Sequence, residues 1–394
     1  MVRRPFSSRV PADLGVNRLS RALQQARAAH RPLIDLTLSN PTRAGFHYPS
    51  DLLEPLANSR GLTYEPQPFG LMDARRAVAS DYQRRGVSVS PDRIVLTAST
   101  SEAYSLLFKL LTDAGDEVLV PRPSYPLFDH LTQLDGVAAC PYDLEYHDGW
   151  SIDIASLEQS LSDRTRALLL VTPNNPTGSF VSRPEFKRIS AICAEREIAV
   201  IADEVFADYQ VRPGACVDAA RTLDMRDGLL FSLGGLSKSV GLPQVKLGWI
   251  ALAGHDDLVG ASLDRLELIC DTYLSVSTPV QAAAAELLAR GAVVRKQVQA
   301  RVAANYRTLS AHVEMVPSCT LLVADGGWYA VLQVPSLGSE EDLVVSLVDR
   351  GVIVHPGYFF DFPRESYLVV SLLAPERDFT DGTAAVLQHI EQAL

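Results

Sequence analysis

From about Asp92 to Gly235 the chain alternates short, uniformly apolar runs with longer amphipathic stretches. "RIVLT" precedes "SEAYSLLFKLLTDAG", and "DEVLVP" precedes "SYPLFDHLTQLDG". "RALLLVTP", "RPEFKRISAICAERE", "IAVIADEV" and "GLLFSLG" continue the series. Strands without polar alternation need cover on both faces, and helices between them supply it. The expectation is an α/β fold built on a mostly parallel sheet, with its working residues at the carboxyl ends of the strands. A helix from about Ala283 to Val313, interrupted at Gly291, reads as a connector to a second unit. There "GGWYAVLQV", "SEEDLVVSLVDR", "VIVHPG" and "YLVVSLL" predict a smaller α/β arrangement.

Charge and cysteine content narrow the function classes. A formal charge of −11 over 394 residues, with no basic stripe, argues against a nucleic-acid partner. No stretch reaches the length of about 18 apolar residues that a membrane span needs, and the arginines near the start precede no apolar leader core. The expectation is a cytoplasmic protein. Five widely spaced cysteines without a C-x-x-C pair predict free thiols, with neither a disulfide framework nor a metal site.

Four short segments fall where strands should end. "TASTSEA" offers the hydroxyls and N–H groups of Ser99, Thr100 and Ser101 at a helix N-terminus, which suits an anion or a plain helix cap. "VTPNNPTG" makes a rigid turn that presents the amide of Asn175. "IADEV" places Asp203 after an apolar strand, where a carboxylate faces a cation, a cleft or a helix cap. "SLGGLSKSVGLPQVKLGWIAL" holds Lys238 among glycine, serine and apolar residues, with Lys246 as the other ionised group. A lysine there is either a snorkelling surface group or a desolvated amine of lowered pKa suited to Schiff-base chemistry.

In order and spacing, "TASTSEA", "PSYP", "NNPTG", "DEVF" and "LSK" followed by a basic residue resemble the fold-type I pyridoxal-phosphate aminotransferases of class I/II. The resemblance runs from about Asp35 to the C-terminus. It implies a large domain, residues 47–285, with a mostly parallel seven-stranded-type sheet between helices, and a smaller α/β domain made of residues 1–46 and 286–394. It implies pyridoxal 5'-phosphate bound to Lys238 as a Schiff base, with Lys238 then moving protons as general base and acid. Asp203 would pair with the pyridinium nitrogen, Asn175 would donate to the phenolic oxygen and Tyr125, in "PSYP", would stack on the ring. Ser99, Thr100, Ser101 and Lys246 would hold the phosphate with help from Ser237, and Tyr64 would reach the cofactor of a neighbouring subunit, which implies a homodimer with shared active sites. The implied reaction is reversible amino transfer from an amino acid to a 2-oxo acid. A lyase or decarboxylase on the same fold and a non-catalytic cofactor-binding regulator are the alternatives.

The sequence departs from that pattern at instructive places. Phe206 stands where a tyrosine is usual, Lys246 replaces an arginine and Gly235 a serine. Val369, in "SYLVVSLL", occupies the position of the arginine that clamps the substrate carboxylate. Arg43, Arg364 and Arg377 are the candidate replacement cations. Ser39 and Asn40, in "SNP", are expected at the cleft, and Trp328, Tyr329, His355, Tyr358 and Phe359 are expected to wall the substrate pocket or to pack in the core.

Overall fold

The computed structural model describes residues 6–11, 14–214, 216–336, 338–364 and 366–394; the first five residues, expected in the smaller domain, lie outside the described residues. Fourteen strands carry the fold among the described residues. A short strand β1 (Ile34–Asp35) is followed by β2 (Ile94–Thr97), β3 (Glu117–Arg122), β4 (Ala138–Tyr146), β5 (Trp150–Ile152), β6 (Thr165–Val171), β7 (Ala199–Asp203), β8 (Leu229–Gly235) and β9 (Gly248–Gly254). The remaining strands are β10 (Thr320–Leu321), β11 (Tyr329–Gln333), β12 (Val352–Ile353), β13 (His355–Pro356) and β14 (Tyr367–Ser371).

Strands β2 to β9 form one sheet in the order β2-β9-β8-β7-β6-β3-β4-β5. Pairing is parallel from β8 through β7, β6 and β3 to β4, whereas β9 runs antiparallel between β2 and β8. The expected seven strands are therefore eight. The addition is the three-residue β5, which folds back antiparallel on β4 at the sheet edge.

Successive side chains of a strand point to opposite faces, so each central strand feeds two cores. In β7, Val200 joins a core with Ile189 and Cys193 of the helix Arg183–Glu195. Its neighbour Ile201 joins another with Leu107 of the helix Thr100–Leu111. This double burial is what the unbroken apolar runs predicted.

A second sheet, β10-β11-β14-β13, is antiparallel throughout. In its register Val369 lies opposite both Val331 and His355. Strands β1 and β12 pair in parallel, which ties the N-terminal segment to the C-terminal third. Between the sheets run the helices Thr278–Arg290 and Ala292–Glu314, separated at Gly291. A Cβ at Gly291 would lie 2.6 Å from Cβ of Val240 and 2.7 Å from the Leu287 carbonyl oxygen. Glycine thus lets the connector approach the side chain of Val240, two residues after Lys238.

Candidate active site

Parallel strands expose their carboxyl ends along one edge, and that edge gathers most of the expected set. Asp203 ends β7 and Lys238 follows β8 in the one-turn helix Leu236–Ser239. Tyr125 follows β3 and Asn175 follows β6. Ser99 follows β2 and caps the helix Thr100–Leu111, its hydroxyl accepting from the Glu102 N–H at 3.1 Å.

Asp203 is buried. Its Oδ2 accepts from the Tyr104 hydroxyl at 2.7 Å and its Oδ1 from the Val205 N–H at 3.1 Å. Burial raises its pKa, although both donors pull the other way. Burial likewise pushes the Lys238 ammonium down, with the Asp203 charge opposing. Burial thus works against the charged form of both groups. The Lys238 Nζ lies 4.9 Å from the ring centroid of Trp328 and 5.6 Å from that of Phe206. These rings meet edge to face at 5.2 Å and form an apolar floor beneath the amine.

Three buried polar atoms near this edge have no hydrogen-bond partner among the described residues: Asn175 Oδ1, Ser239 Oγ and Trp328 Nε1. Unpartnered buried atoms are uncommon in folded proteins. Tyr125 is 39% exposed, and its ring edge meets Phe128 at 5.8 Å. Beside it the Ser124 N–H donates to the Phe360 carbonyl at 3.0 Å, which links this edge to the loop after β13.

At the helix start, a Cβ on Gly248 would stand 3.0 Å from the Ser99 carbonyl carbon and 3.1 Å from the Thr100 nitrogen. Glycine leaves the N-terminal N–H groups open to a ligand, with Ser101 exposed beside them. Lys246 is exposed and sits in a left-handed conformation (φ 61°), and Ser237 is half-buried next to Lys238.

The other expected residues are distributed differently. Tyr64 is 74% exposed and borders a small cleft with Tyr273 and Gln281, away from any hydrogen bond to the rest of the set. Asn40 serves as a cap, accepting from the Thr42 N–H at 3.0 Å and hydroxyl at 2.7 Å. Ser39 is exposed and hydrogen-bonds Tyr329. Arg43 and Arg364 are exposed, with no ion pair among the described residues, while Arg377 lies 3.8 Å from Asp381. Trp328 is fully buried against Lys238, whereas Tyr358 is 39% exposed and packs on Phe359 at 5.0 Å. Tyr104 was not foreseen. Its signal was a tyrosine on the apolar face of "SEAYSLLFKLL", where a buried hydroxyl needs an acceptor.

Residues 32–376 match the family described as Aminotransferase class I and II. The chain belongs to this family. Among its relatives, the alanine aminotransferase of Mycobacterium tuberculosis (strain ATCC 25618 / H37Rv) is 26% identical over 364 residues, covering 89% of this chain and 83% of the relative. The tyrosine aminotransferase of Homo sapiens is 25% identical over 378 residues, covering 92% and 82%. Among solved structures, an alanine aminotransferase from Pyrococcus furiosus superposes with a TM-score of 0.87 at 22% identity, covering 98% of this chain and 100% of that one. A Thermus thermophilus aspartate aminotransferase mutant gives 0.84 at 20% identity, covering 99% and 100%. The α/β architecture is that of these aminotransferases.

Aminotransferases of this class use pyridoxal phosphate, and the edge described fits such a group. A buried carboxylate, an amide oxygen without a donor among the described residues and a helix N-terminus that Gly248 leaves room beside are complementary to a pyridinium, a phenol and a phosphate. Where the aminotransferase departs from its family pattern, apolar packing takes over. Phe206 is buried against Trp328. Val369 is fully buried, with His355 across the strand and Phe360 5.6 Å from the imidazole. Burial pushes His355 down to about 4, with Asp35 the charge opposing it, so the imidazole is neutral near pH 7.

Proposed function

We propose that this aminotransferase moves an amino group between an amino acid and a 2-oxo acid, with pyridoxal 5'-phosphate carried on Lys238. The pairing of a desolvated lysine with a desolvated carboxylate on neighbouring strand ends carries this reading. When bound, the cofactor supplies an electron sink for the carbanion formed at the substrate Cα. The protein residues supply everything else.

Lys238, whose amine burial shifts toward the neutral form, would be the base that takes the substrate Cα proton and the acid that gives it back across the imine nitrogen. Asp203 would pair with the pyridinium nitrogen, its carboxylate held in place by the Tyr104 hydroxyl on Oδ2 and the Val205 N–H on Oδ1. Asn175 orients the phenolic oxygen, and Tyr125 covers one ring face. Ser99, Thr100, Ser101 and Ser237 bind the phosphate together with Lys246, which contributes charge without the fork of an arginine. Trp328 and Phe206 exclude water beneath the reacting amine. Ser39, through Tyr329, and the neighbouring Asn40, Arg43 and Tyr358 border the substrate end.

The same proposal includes a cytoplasmic homodimer with shared sites. Leu62 is 90% exposed and stands next to the exposed Tyr64, an apolar pair of the kind a partner subunit covers. Among the described residues no helix is long and apolar enough to cross a membrane. The division into residues 47–285 and 1–46 plus 286–394 is supported by the confinement of the eight-stranded sheet to the first unit. The β1–β12 pair lies within the second.

The test is a half-reaction screen in which the holoenzyme is mixed with single amino acids. Transfer predicts conversion to the pyridoxamine form and one 2-oxo acid released per site. Product without conversion would replace transfer with a lyase or decarboxylase reaction, and absence of any visible absorbance band would sink the cofactor assignment.

A further inference from the structure

Lys238 and Ser239 close a helix of a single turn, so their carbonyls have no helical N–H to accept from. Both carbonyls nevertheless have partners. The Tyr209 hydroxyl donates to the Lys238 carbonyl and also lies 3.3 Å from that of Ser239. Arg295 donates its Nε–H to the Ser239 carbonyl at 2.7 Å.

Neither donor is free to wander. Arg295 is 8% exposed and belongs to the first turns of the connector helix Ala292–Glu314. Its Nη2 lies 3.0 Å from Asp81, and its Nε lies 3.6 Å from Asp208. Arg84 bonds the same two carboxylates, at 2.9 Å to Asp81 and 2.6 Å to Asp208. Two arginines and two aspartates thus alternate in a neutral, largely buried ring. The ring joins the helix Met72–Arg84, the loop after β7 and the connector helix. From Arg295 a bond runs outward to the backbone of the lysine turn. Tyr209 belongs to the same loop, and its ring packs on Trp328 at 5.3 Å, the residue over whose face the Lys238 Nζ sits. Tyr209 therefore touches the lysine from both ends: its main chain by the hydroxyl, and its amine by way of Trp328.

We propose that Tyr209 and Arg295 are positioning residues for Lys238, clamping its main chain from the Asp81–Arg84–Asp208–Arg295 ring so that the amine is held at one height over Trp328. A buried ion-pair ring contributes little net stability, because desolvation offsets attraction. Specifying a geometry is what this one does. The inference rests on Lys238 being the reactive amine.

Tyr209→Phe removes a single oxygen and keeps the ring on Trp328, so the variant folds. In the apoprotein, Lys238 labelling by an acylating reagent, followed by peptide mass spectrometry, should change at least ~5-fold in rate as the amine leaves its fixed position. In the holoenzyme kcat should fall ~10-fold with donor KM within twofold, since a misplaced amine costs turnover rather than binding. Arg295→Lys, which keeps a donor, should lie between wild type and Arg295→Met in labelling rate. Labelling and kcat of Tyr209→Phe both within twofold of wild type would overturn the clamp. Lys238→Ala separates this outcome from failure of the function itself: a visible band that survives in that variant rejects Lys238 as the cofactor lysine, whatever Tyr209→Phe shows.

Discussion

The strand edge around Lys238 and the strand around Val369 have opposite chemistry. At the edge, one amine and one carboxylate are desolvated, three polar atoms lack partners among the described residues and a helix N-terminus lies open. In the other strand, Val369 lies among His355, Val331 and the ring of Phe360, and the ionisable group there is driven to its neutral form. Polar atoms left unsatisfied mark where a ligand completes the structure. Filled apolar contacts mark where the protein has already completed itself. The difference separates how the reaction runs from what is admitted to it.

The contrast can be broken most severely at the edge. Lys238→Ala should lose the visible absorbance band and lower kcat/KM by at least ~10³-fold, since both attachment and proton transfer end. Asp203→Asn keeps the shape and the Tyr104 contact but removes the charge, and a loss of ~10²-fold in kcat is expected in steady-state assays. In the other strand, Val369→Arg restores a guanidinium opposite His355. It should lower the KM of α-amino acid donors ~10-fold if a free carboxylate reaches this strand. An unchanged KM, with thermal unfolding unaltered, would show that recognition lies elsewhere.

Stability against pH sharpens the same comparison. The folded pKa of His355, about 4, is below its ordinary 6.5, so the unfolded chain binds the proton first as pH falls. The contribution is complete above pH 6.5 and is lost on descent to pH 4, amounting to about 3 kcal/mol. Denaturant titrations at several pH values should show this slope, and His355→Asn should flatten it. The smallest change expected is from Phe206→Tyr. An added hydroxyl donor near the phenolic oxygen should lower the titration midpoint of the visible band by about one pH unit; an unmoved midpoint would place Phe206 outside hydrogen-bond reach.

Local pattern and long-range pairing account for what the sequence disclosed. Runs such as "IAVIADEV" announced β7 because both its faces are buried, and Asp203 stood out as the polar residue that ends it. Strand β4 passed unread because all its residues but Tyr142 are exposed or half-buried and Pro141 interrupts them. The antiparallel β9 also passed, since an apolar run carries no direction. Among the candidate site residues, Lys238, Asp203, Asn175 and Ser99 stood out in segments that interrupt apolar strands, and the fold brings them to one edge. His355 opposite Val369 was not, because strand register is fixed by distant partners. Arg295, Asp81 and Asp208 also stayed hidden, each looking like an ordinary surface charge until three segments meet.

One helix carries two duties that are usually assigned to separate elements. Its start, at Thr100, opens to an anion, and one turn later Tyr104 reaches the carboxylate of Asp203. Those positions are separated by a rise of about 6 Å that the helical hydrogen bonds do not let vary. The helix is therefore a ruler. Whatever ligand spans these two positions is measured against one rigid body, so loosening the helix would shift both contacts together, and a molecule of the wrong length could satisfy only one.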